Sequence, residues 1–308
     1  MSLETGGVRH FTDIDDLSST DLETVLDVAS GFKSQVKRGE PHPVLERQTL
    51  GMVFEKPSTR TRVSFETGMT QLGGHAVFLG PDDIGLGGRE PLKDIARTLS
   101  GYVDCVMVRL FDHADLEELA THAGVPVVNG LTDDAHPCQT LADLLTIRET
   151  VGFDAQVAWV GDGNNVAQSF ALGCALAGVD LTVATPPEYG VSEEVRDRAA
   201  ELGRAPTVTD DPEQAVADAD VVCTDVWVSM GEEGSRNEKL AAFEDGGFQV
   251  DDDLLAGSDA RLMHCLPAHR GEEVTSAVLE SDRELVWQQA ENRLHAQKGL
   301  LVFLLDAV

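Results

Sequence analysis

The chain has 308 residues, 42% of them hydrophobic, which suits two globular domains of ordinary size. It carries 23 basic and 54 acidic residues, a formal net charge of −31, and the acidic residues are dispersed along the sequence. This charge argues against nucleic acid as a partner, because phosphate contacts need basic patches, and it predicts a protein that is soluble at high salt. The longest candidate apolar run, Leu300–Leu305, is far too short to span a membrane.

The N-terminus and the cysteines favour a cytoplasmic protein. Residues 1–5 lack the basic and apolar regions of a signal peptide. The five cysteines are odd in number and form no CxxC pair, so we expect neither a disulfide framework nor a zinc ribbon.

The first predicted helix carries Leu22, Val25 and Leu26 on one face. It opens with a capping box at residues 20–23 and closes at Gly39–Pro43. The next elements are a strand at Leu50–Phe54 and a helix whose apolar residues recur from Phe65 to Leu72.

The connection between that strand and helix predicts an anion site. Ser58-Thr59-Arg60-Thr61-Arg62 places hydroxyl and guanidinium groups at a helix start, where backbone N–H groups are unpaired. This set favours a site for a doubly charged tetrahedral anion over a helix start that is merely capped. A guanidinium at about 4 Å contributes roughly 4 kcal/mol at an effective dielectric constant of 20, whereas distant charges are screened in salt, so the arginines outweigh the acidic surface.

After a predicted strand at His75–Leu79, the glycine-rich stretch Pro81–Pro91 reads as a loop. Its pattern fits equally a plain surface connection and a mobile lid or a loop that reaches another subunit.

The following elements alternate between helix and strand, which predicts a parallel sheet. Helices are expected at 93–99 and 115–122, strands at 103–109 and 125–128, and a helix start at His136-Pro137-Cys138-Gln139. Ser58–Thr61, Arg109 and His136 then fall at the carboxyl ends of strands, where open α/β sheets bind ligands. A ligand-binding role for His136 is therefore favoured over a capping role.

A second α/β unit starts near Gly152, with a strand at 156–160 and a helix at 167–176. The turn between them resembles a GxGxxG dinucleotide turn only weakly, because Val166 replaces the third glycine and no acidic residue ends the next strand. NAD binding is disfavoured, and Asn164 and Asn165 could instead orient a polar substrate.

Two later strands, at 220–223 and 260–263, again lead into polar residues: Asp225–Gly231 and His264–Pro267. A zinc site of His264, Cys265 and His269 lacks a matching ligand spacing. A final helix with an apolar stripe carries Arg293 beside that stripe.

Together these motifs resemble the ornithine carbamoyltransferases, in order over nearly the whole chain. Ser58–Arg62 and His136–Gln139 resemble the transcarbamoylase superfamily, and Asp225 with Ser229–Gly231 and His264–Pro267 resemble its ornithine branch. The resemblance implies an α/β fold of two doubly wound parallel-sheet domains. The carbamoyl-phosphate domain would be residues 1–148 with 287–308 packing back on it, and the ornithine domain 149–286.

The resemblance further implies transfer of the carbamoyl group of carbamoyl phosphate to L-ornithine, giving citrulline and phosphate without metal or cofactor. It also implies homotrimers or multiples of trimers, with sites at subunit interfaces. The resemblance also implies residue roles. Carbamoyl phosphate is bound at its phosphate by Ser58, Thr59, Arg60 and Thr61, its carbamoyl oxygen is polarised by Arg109 and His136, its amino group is held by Gln139, and it is contacted by Arg293. Ornithine is fixed by Asn165, Asp225, Ser229 and Met230, and its reacting nitrogen lies beside Cys265 and Leu266. We expect no covalent intermediate on Cys265, because the amine is itself the nucleophile.

One position departs from the family pattern. Many members carry, in the glycine-rich loop, a glutamine that acts across the subunit interface, and Gly85 stands in its place here. Either Arg89 or a backbone group compensates for the missing glutamine, or the contribution across the interface is weaker.

The alternative functions are carbamoyl transfer with aspartate as the acceptor, a non-enzymatic relative that binds carbamoyl phosphate, and a nicotinamide-dependent dehydrogenase. The sequence leaves open whether the reaction serves arginine synthesis or breakdown.

Overall fold

The computed structural model describes residues 4–5, 7–85 and 90–307. The chain divides into two compact units, Met1–Ala142 with Arg293–Val308, and Asp143–Asn292. None of the helices in these described ranges is both long and apolar enough to cross a membrane.

The first unit contains a parallel sheet with helices between its strands. Its strands β1–β6 are Glu4–Thr5, Val8–Arg9, Thr49–Phe54, His75–Leu79, Cys105–Arg109 and Val127–Leu131. Its helices α1–α6 are Ser19–Arg38, Thr59–Gln71, Pro81–Ile84, Leu92–Ser100, His113–His122 and Pro137–Thr150, the last of which continues into the second unit. The parallel strands are ordered β4-β3-β5-β6, as the alternation of elements predicts, and β1 and β2 form a separate antiparallel pair.

The register of this sheet brings the predicted anion-binding residues to one edge. Phe54 lies opposite Arg109 across β3 and β5, so the two strands end together. Ser58 precedes α2 directly after β3, and His136 precedes α6 after β6. Because β3 and β5 are buried almost throughout, the open place for a ligand is at their carboxyl ends.

The second unit repeats the architecture with a different strand order. Its strands β7–β11 are Gln156–Val160, Asp180–Ala184, Thr207–Thr209, Val221–Thr224 and Arg261–His264. Its helices α7–α11 are Asn165–Ala177, Glu193–Leu202, Pro212–Val216, Arg236–Asp245 and Ser276–Leu279. The sheet is parallel, in the order β11-β10-β7-β8-β9, so Asn164, Asp225 and Cys265 follow three adjacent strands.

The last helix, α12 (Val286–Leu304), belongs to the first unit from Arg293 onward. It packs closely on α1: a Cβ at Gly299 would come within 2.4 Å of the Val25 carbonyl oxygen. Glycine is therefore required there, and this contact fixes where Arg293 emerges on the same helix.

Two details of the predicted elements were wrong. The capping box of α1 is formed by Ser18 and Asp21 instead of residues 20–23, with the Asp21 amide donating to Ser18 Oγ at 3.1 Å. In the stretch expected to be a loop, Pro81–Ile84 is a short helix, stabilised by the Gly80 amide donating to Asp83 Oδ2 at 2.9 Å. Residues 86–89, including Arg89, lie outside the described residues.

Candidate active-site residues

Helix α2 begins with the hydroxyl groups that the sequence predicts for an anion site. Ser58 is its N-cap: Ser58 Oγ accepts from the Thr61 amide at 3.3 Å and donates to Thr61 Oγ1 at 3.1 Å. Thr61 is buried, whereas Thr59 and Arg60 are exposed in the first turn. The helix start thus presents backbone N–H groups, the hydroxyls of Ser58 and Thr61 and the guanidinium of Arg60.

Arg293 joins three parts of the first unit around this helix start. Its Nη1 donates to Gln139 Oε1 at 2.5 Å and to His136 Nε2 at 3.3 Å, and its Nη2 donates to Thr61 Oγ1 at 3.1 Å. All four side chains are buried. One guanidinium from the last helix therefore fixes residues from the starts of α2 and α6 relative to each other.

His136 is held in its neutral form. Burial lowers its pKa well below the ordinary value, and the positive charges of Arg293, Arg109 and Arg60 lower it further. Because a guanidinium can only donate, His136 Nε2 must accept from Arg293, which places the imidazole proton on Nδ1. The first unit therefore combines a cationic environment with a neutral imidazole that can donate one hydrogen bond.

In the second unit, side chains from three strand ends form one hydrogen-bonded group. Asn164, the N-cap of α7, donates through Nδ2 to Asp225 Oδ2 at 2.9 Å. Cys265 Sγ donates to Asp225 Oδ1 at 3.0 Å. The buried Asp225 carboxylate is thus placed to accept hydrogen bonds and to favour a cationic ligand group.

The Ser229–Met230 turn is held by a buried ion-paired lysine. The Ser229 amide donates to Glu232 Oε2 at 3.0 Å, and Lys239 Nζ lies 2.7 Å both from that oxygen and from Asp162 Oδ2. Burial opposes protonation of Lys239, but Asp162 and Glu232 outweigh it and raise its pKa. Burial also raises the pKa of Asp162, to about 7, against the effect of Lys239.

The glycines of the 161–166 turn have a packing role. A Cβ at Gly163 would lie 2.5 Å from the Gly190 carbonyl carbon, so the backbone of residues 189–191 occupies the space beside this turn. Close approach of two chain segments accounts for the glycine without a dinucleotide.

The histidines of the zinc alternative fall into separate groups. The donor atoms of Asp225, His264 and Cys265 lie within 4.8 Å of one another, but His264 Nε2 already bonds Glu273 and its Nδ1 accepts from the Leu266 amide. His269 is grouped with Glu272 and Glu273 instead.

The predicted site residues are divided between the two units. The first unit holds Ser58, Thr59, Arg60, Thr61, Arg109, His136, Gln139 and Arg293. The second holds Asn165, Asp225, Ser229, Met230, Cys265 and Leu266. The site prediction did not include Lys239, and it gave Asn164 only as a residue that could orient a polar substrate. Asn164 had a readable signal as an N-cap residue, whereas Lys239 stands in no motif, and only its burial beside two carboxylates marks it.

Comparison with known proteins identifies the family. Residues 9–149 match the carbamoyl-P binding domain of aspartate/ornithine carbamoyltransferases, and residues 154–304 match the Asp/Orn binding domain. The ornithine carbamoyltransferase of Haloquadratum walsbyi is 64% identical over 96% of this chain and 98% of the relative, and that of Methanoculleus marisnigri is 52% identical over 96% and 97%. The solved structure of ornithine carbamoyltransferase from Pyrococcus furiosus is 47% identical and superposes with a TM-score of 0.92, covering 100% of this chain and 99% of that one. The chain therefore belongs to the aspartate/ornithine carbamoyltransferase family.

Proposed function

We propose that this protein transfers the carbamoyl group of carbamoyl phosphate to the side-chain amine of L-ornithine, giving L-citrulline and phosphate. The observation that carries the proposal is the neutral His136 set among arginines, where an anionic substrate with a polarisable carbonyl fits. The relatives named ornithine carbamoyltransferase support the choice of acceptor.

The start of α2 binds the phosphate. Backbone N–H groups of the first turn and the hydroxyls of Ser58, Thr59 and Thr61 donate to its oxygens, and Arg60 neutralises its charge. Negative charge grows on this group as it leaves, so the same donors stabilise the transition state more than the bound substrate.

Arg109 and His136 polarise the carbamoyl oxygen. A neutral imidazole donates from Nδ1 without adding a proton to the oxygen, and Arg109 supplies positive charge as the oxyanion develops. Gln139 holds the carbamoyl amino group, and Arg293 contacts carbamoyl phosphate while keeping Gln139 and His136 in place.

The second unit binds ornithine. Asp225 attracts the α-ammonium group, and Asn165 and the Ser229–Met230 turn hold the rest of the amino-acid end. Cys265 and Leu266 lie beside the side-chain nitrogen. Cys265 is a positioned thiol, because it donates a hydrogen bond to Asp225.

The reaction is a single substitution at the carbamoyl carbon. The uncharged side-chain amine attacks this carbon and forms a C–N bond, the carbonyl oxygen takes up negative charge, and the C–O bond to phosphate then breaks. Phosphate leaves with the electron pair of the broken bond, and it takes up the one proton that the attacking nitrogen loses. Positioning and oxyanion stabilisation contribute most of the acceleration.

Acceptor choice is tested by supplying carbamoyl phosphate with L-ornithine or with L-aspartate. We expect citrulline from ornithine and no carbamoyl-aspartate, because Asp225 would repel the second carboxylate of aspartate. Product from aspartate alone would overturn the acceptor, and binding of carbamoyl phosphate with no product from either would indicate a non-enzymatic relative.

The protein acts in the cytoplasm as a homotrimer or a multiple of trimers, with sites completed at subunit interfaces. The net charge of −31 makes assembly dependent on molar salt, because counterions must screen the repulsion between subunits. Light scattering coupled to size exclusion, with activity measured on the same fractions, tests this in 0.1 M and 2 M KCl. A stable, fully active assembly in the dilute buffer would contradict it.

A further inference from the structure

Three side chains that the transfer reaction does not use form a compact cluster in the second unit. His269, Glu272 and Glu273 follow β11 closely in sequence, and each offers one donor atom such that the three atoms lie within 4.8 Å of one another. Glu273 is entirely buried, and Glu272 and His269 reach the surface.

Each member of the cluster has a buried polar atom without a hydrogen-bond partner among the described residues: His269 Nδ1, Glu272 Oε2 and Glu273 Oε2. The other oxygen of Glu273, Oε1, accepts from His264 Nε2 at 2.9 Å and from the His269 amide at 2.6 Å. Glu272 Oε1 is likewise occupied, since Arg236 binds it. Burying a carboxylate oxygen without a partner is costly, so the two glutamate oxygens favour a positively charged neighbour.

The donors suit a first-row transition-metal ion. One imidazole nitrogen with two carboxylate oxygens is a mixed N/O set, which Zn²⁺ accepts at about 2.0–2.2 Å from each ligand. Two ligands of one such ion lie at most about 4.2 Å apart, and His269 Nδ1 and Glu272 Oε2 are 3.7 Å apart. Glu272 and Glu273 are two neighbouring carboxylates, and Arg236 pairs with Glu272. A divalent ion bound to both would neutralise their remaining negative charge.

We propose that His269, Glu272 and Glu273 bind one divalent transition-metal ion, with Zn²⁺ as the fitting member of the class. The ion takes no part in the carbamoyl transfer. It tethers Glu273, which fixes His264 through Nε2, while His264 Nδ1 fixes the Leu266 amide. The metal therefore stabilises the turn that carries Cys265 and Leu266. In the rival arrangement no metal is bound, and His269 forms an ion pair with Glu272 instead.

The test is a Zn²⁺ titration by calorimetry in metal-free buffer, using the Cys265→Ser protein. This background is needed because Asp225, His264 and Cys265 form a second group of donors within 4.8 Å. We expect one Zn²⁺ per chain and a higher Tm in its presence. His269→Ala and Glu272→Gln should each weaken binding at least about tenfold, because losing even an outer-shell partner of a metal ligand costs that much.

Arg236→Gln is the matched control. It removes the cation that binds Glu272 Oε1 but leaves all three metal donors in place, so Zn²⁺ affinity should be retained or raised. Co²⁺ as a second probe should give absorption bands of an N/O site, lost in His269→Ala. The proposal would be overturned, in favour of the ion pair between His269 and Glu272, if the Cys265→Ser protein bound no Zn²⁺. It would also be overturned if His269→Ala and Glu272→Gln bound Zn²⁺ as tightly as the Cys265→Ser protein does. Neither readout depends on turnover, so the result is independent of the proposed function.

Discussion

Lys239 of the second unit and Lys298 of the first are both buried, and they differ in the charge of their hydrogen-bond partners. Lys239 in the second unit lies 2.7 Å from carboxylate oxygens of both Asp162 and Glu232, and its pKa is raised. Lys298 in the first unit is hydrogen-bonded to Gln71 Oε1 at 2.8 Å and to His42 Nε2 at 3.1 Å, which are both uncharged acceptors in these contacts. Burial lowers the pKa of Lys298 to about 8.

The same contrast separates the candidate binding residues. The first unit gathers guanidiniums around a neutral imidazole, which suits a dianion. The second gathers a carboxylate, an amide and a thiol, which suits the ammonium end of an amino acid. The arginines of the candidate site, Arg60, Arg109 and Arg293, all lie in the first unit of a strongly acidic chain, so local arrangement, not net charge, determines which ligand each unit takes.

Removing Arg60 is the strongest test of this comparison between the two units. We expect Arg60→Ala to lower kcat by about 10²–10³-fold, the usual effect of losing one donor to a developing negative charge. The loss should appear with ornithine held at saturation, because the second unit is unaffected. Steady-state kinetics with carbamoyl phosphate as the varied substrate measures it.

Arg62→Ala is the control on the same turn of α2. Arg62 Nε pairs with Glu66 at 3.0 Å and its guanidinium lies 3.8 Å from the Phe78 ring centroid, so it is engaged away from the proposed phosphate. Turnover close to that of the unmodified protein is expected. Equal losses in both variants would mean that the arginines act through overall charge and not through position.

The parallel sheet of the first unit could be predicted because its signals are local. Ser58–Arg62 is one uninterrupted motif at a strand-to-helix junction, and the βα alternation alone places Arg109 and His136 at the same sheet edge. The bounds of β3, β4 and α2 follow from apolar periodicity, with errors of a residue or two at their ends.

The remaining features depend on contacts between residues that are distant in sequence. Arg293 reaches Thr61 across 232 positions, and no periodicity predicts such a pairing. The Lys239 contacts with Asp162 and Glu232 are of the same kind. The helices α8–α11 and the edge strand β9 were not anticipated, because they are short or largely exposed and give weak periodic signals.

Lys298→Met tests the lysine of this comparison that is hydrogen-bonded to uncharged acceptors. A folded-state pKa of about 8 against 10.5 means that the unfolded chain binds more protons between these values, so the free energy of unfolding rises with pH across that window. The shift corresponds to at most about 3 kcal/mol, which is the cost of keeping Lys298 charged in the folded protein below pH 8. The methionine variant should lack this rise.

Denaturant unfolding of both proteins at pH 7 and pH 10, in the same salt, measures the difference. Lys37→Met is the control, because Lys37 is an exposed residue of α1 and its removal should leave the pH dependence of stability unchanged. A rise with pH that persists in Lys298→Met would show that another group is responsible and that Lys298 is adequately compensated by His42 and Gln71.

The compensated lysine of the second unit gives the smallest expected effect. Lys239→Met releases Glu232, whose Oε2 holds the Ser229 amide, so the turn proposed to bind ornithine loses its anchor. A charge-assisted hydrogen bond contributes about 1.5–3 kcal/mol. Only part of this free energy is lost from ornithine binding, so KM for ornithine should rise about tenfold. KM for carbamoyl phosphate should stay the same. Glu232→Gln should reproduce the effect in part, and Glu238→Gln, at an exposed position of α10, should not. Equal increases in both KM values would mean that Lys239 supports the fold of the second unit as a whole. Lys239 would then be part of a buried structural ion pair and not a substrate-specific anchor.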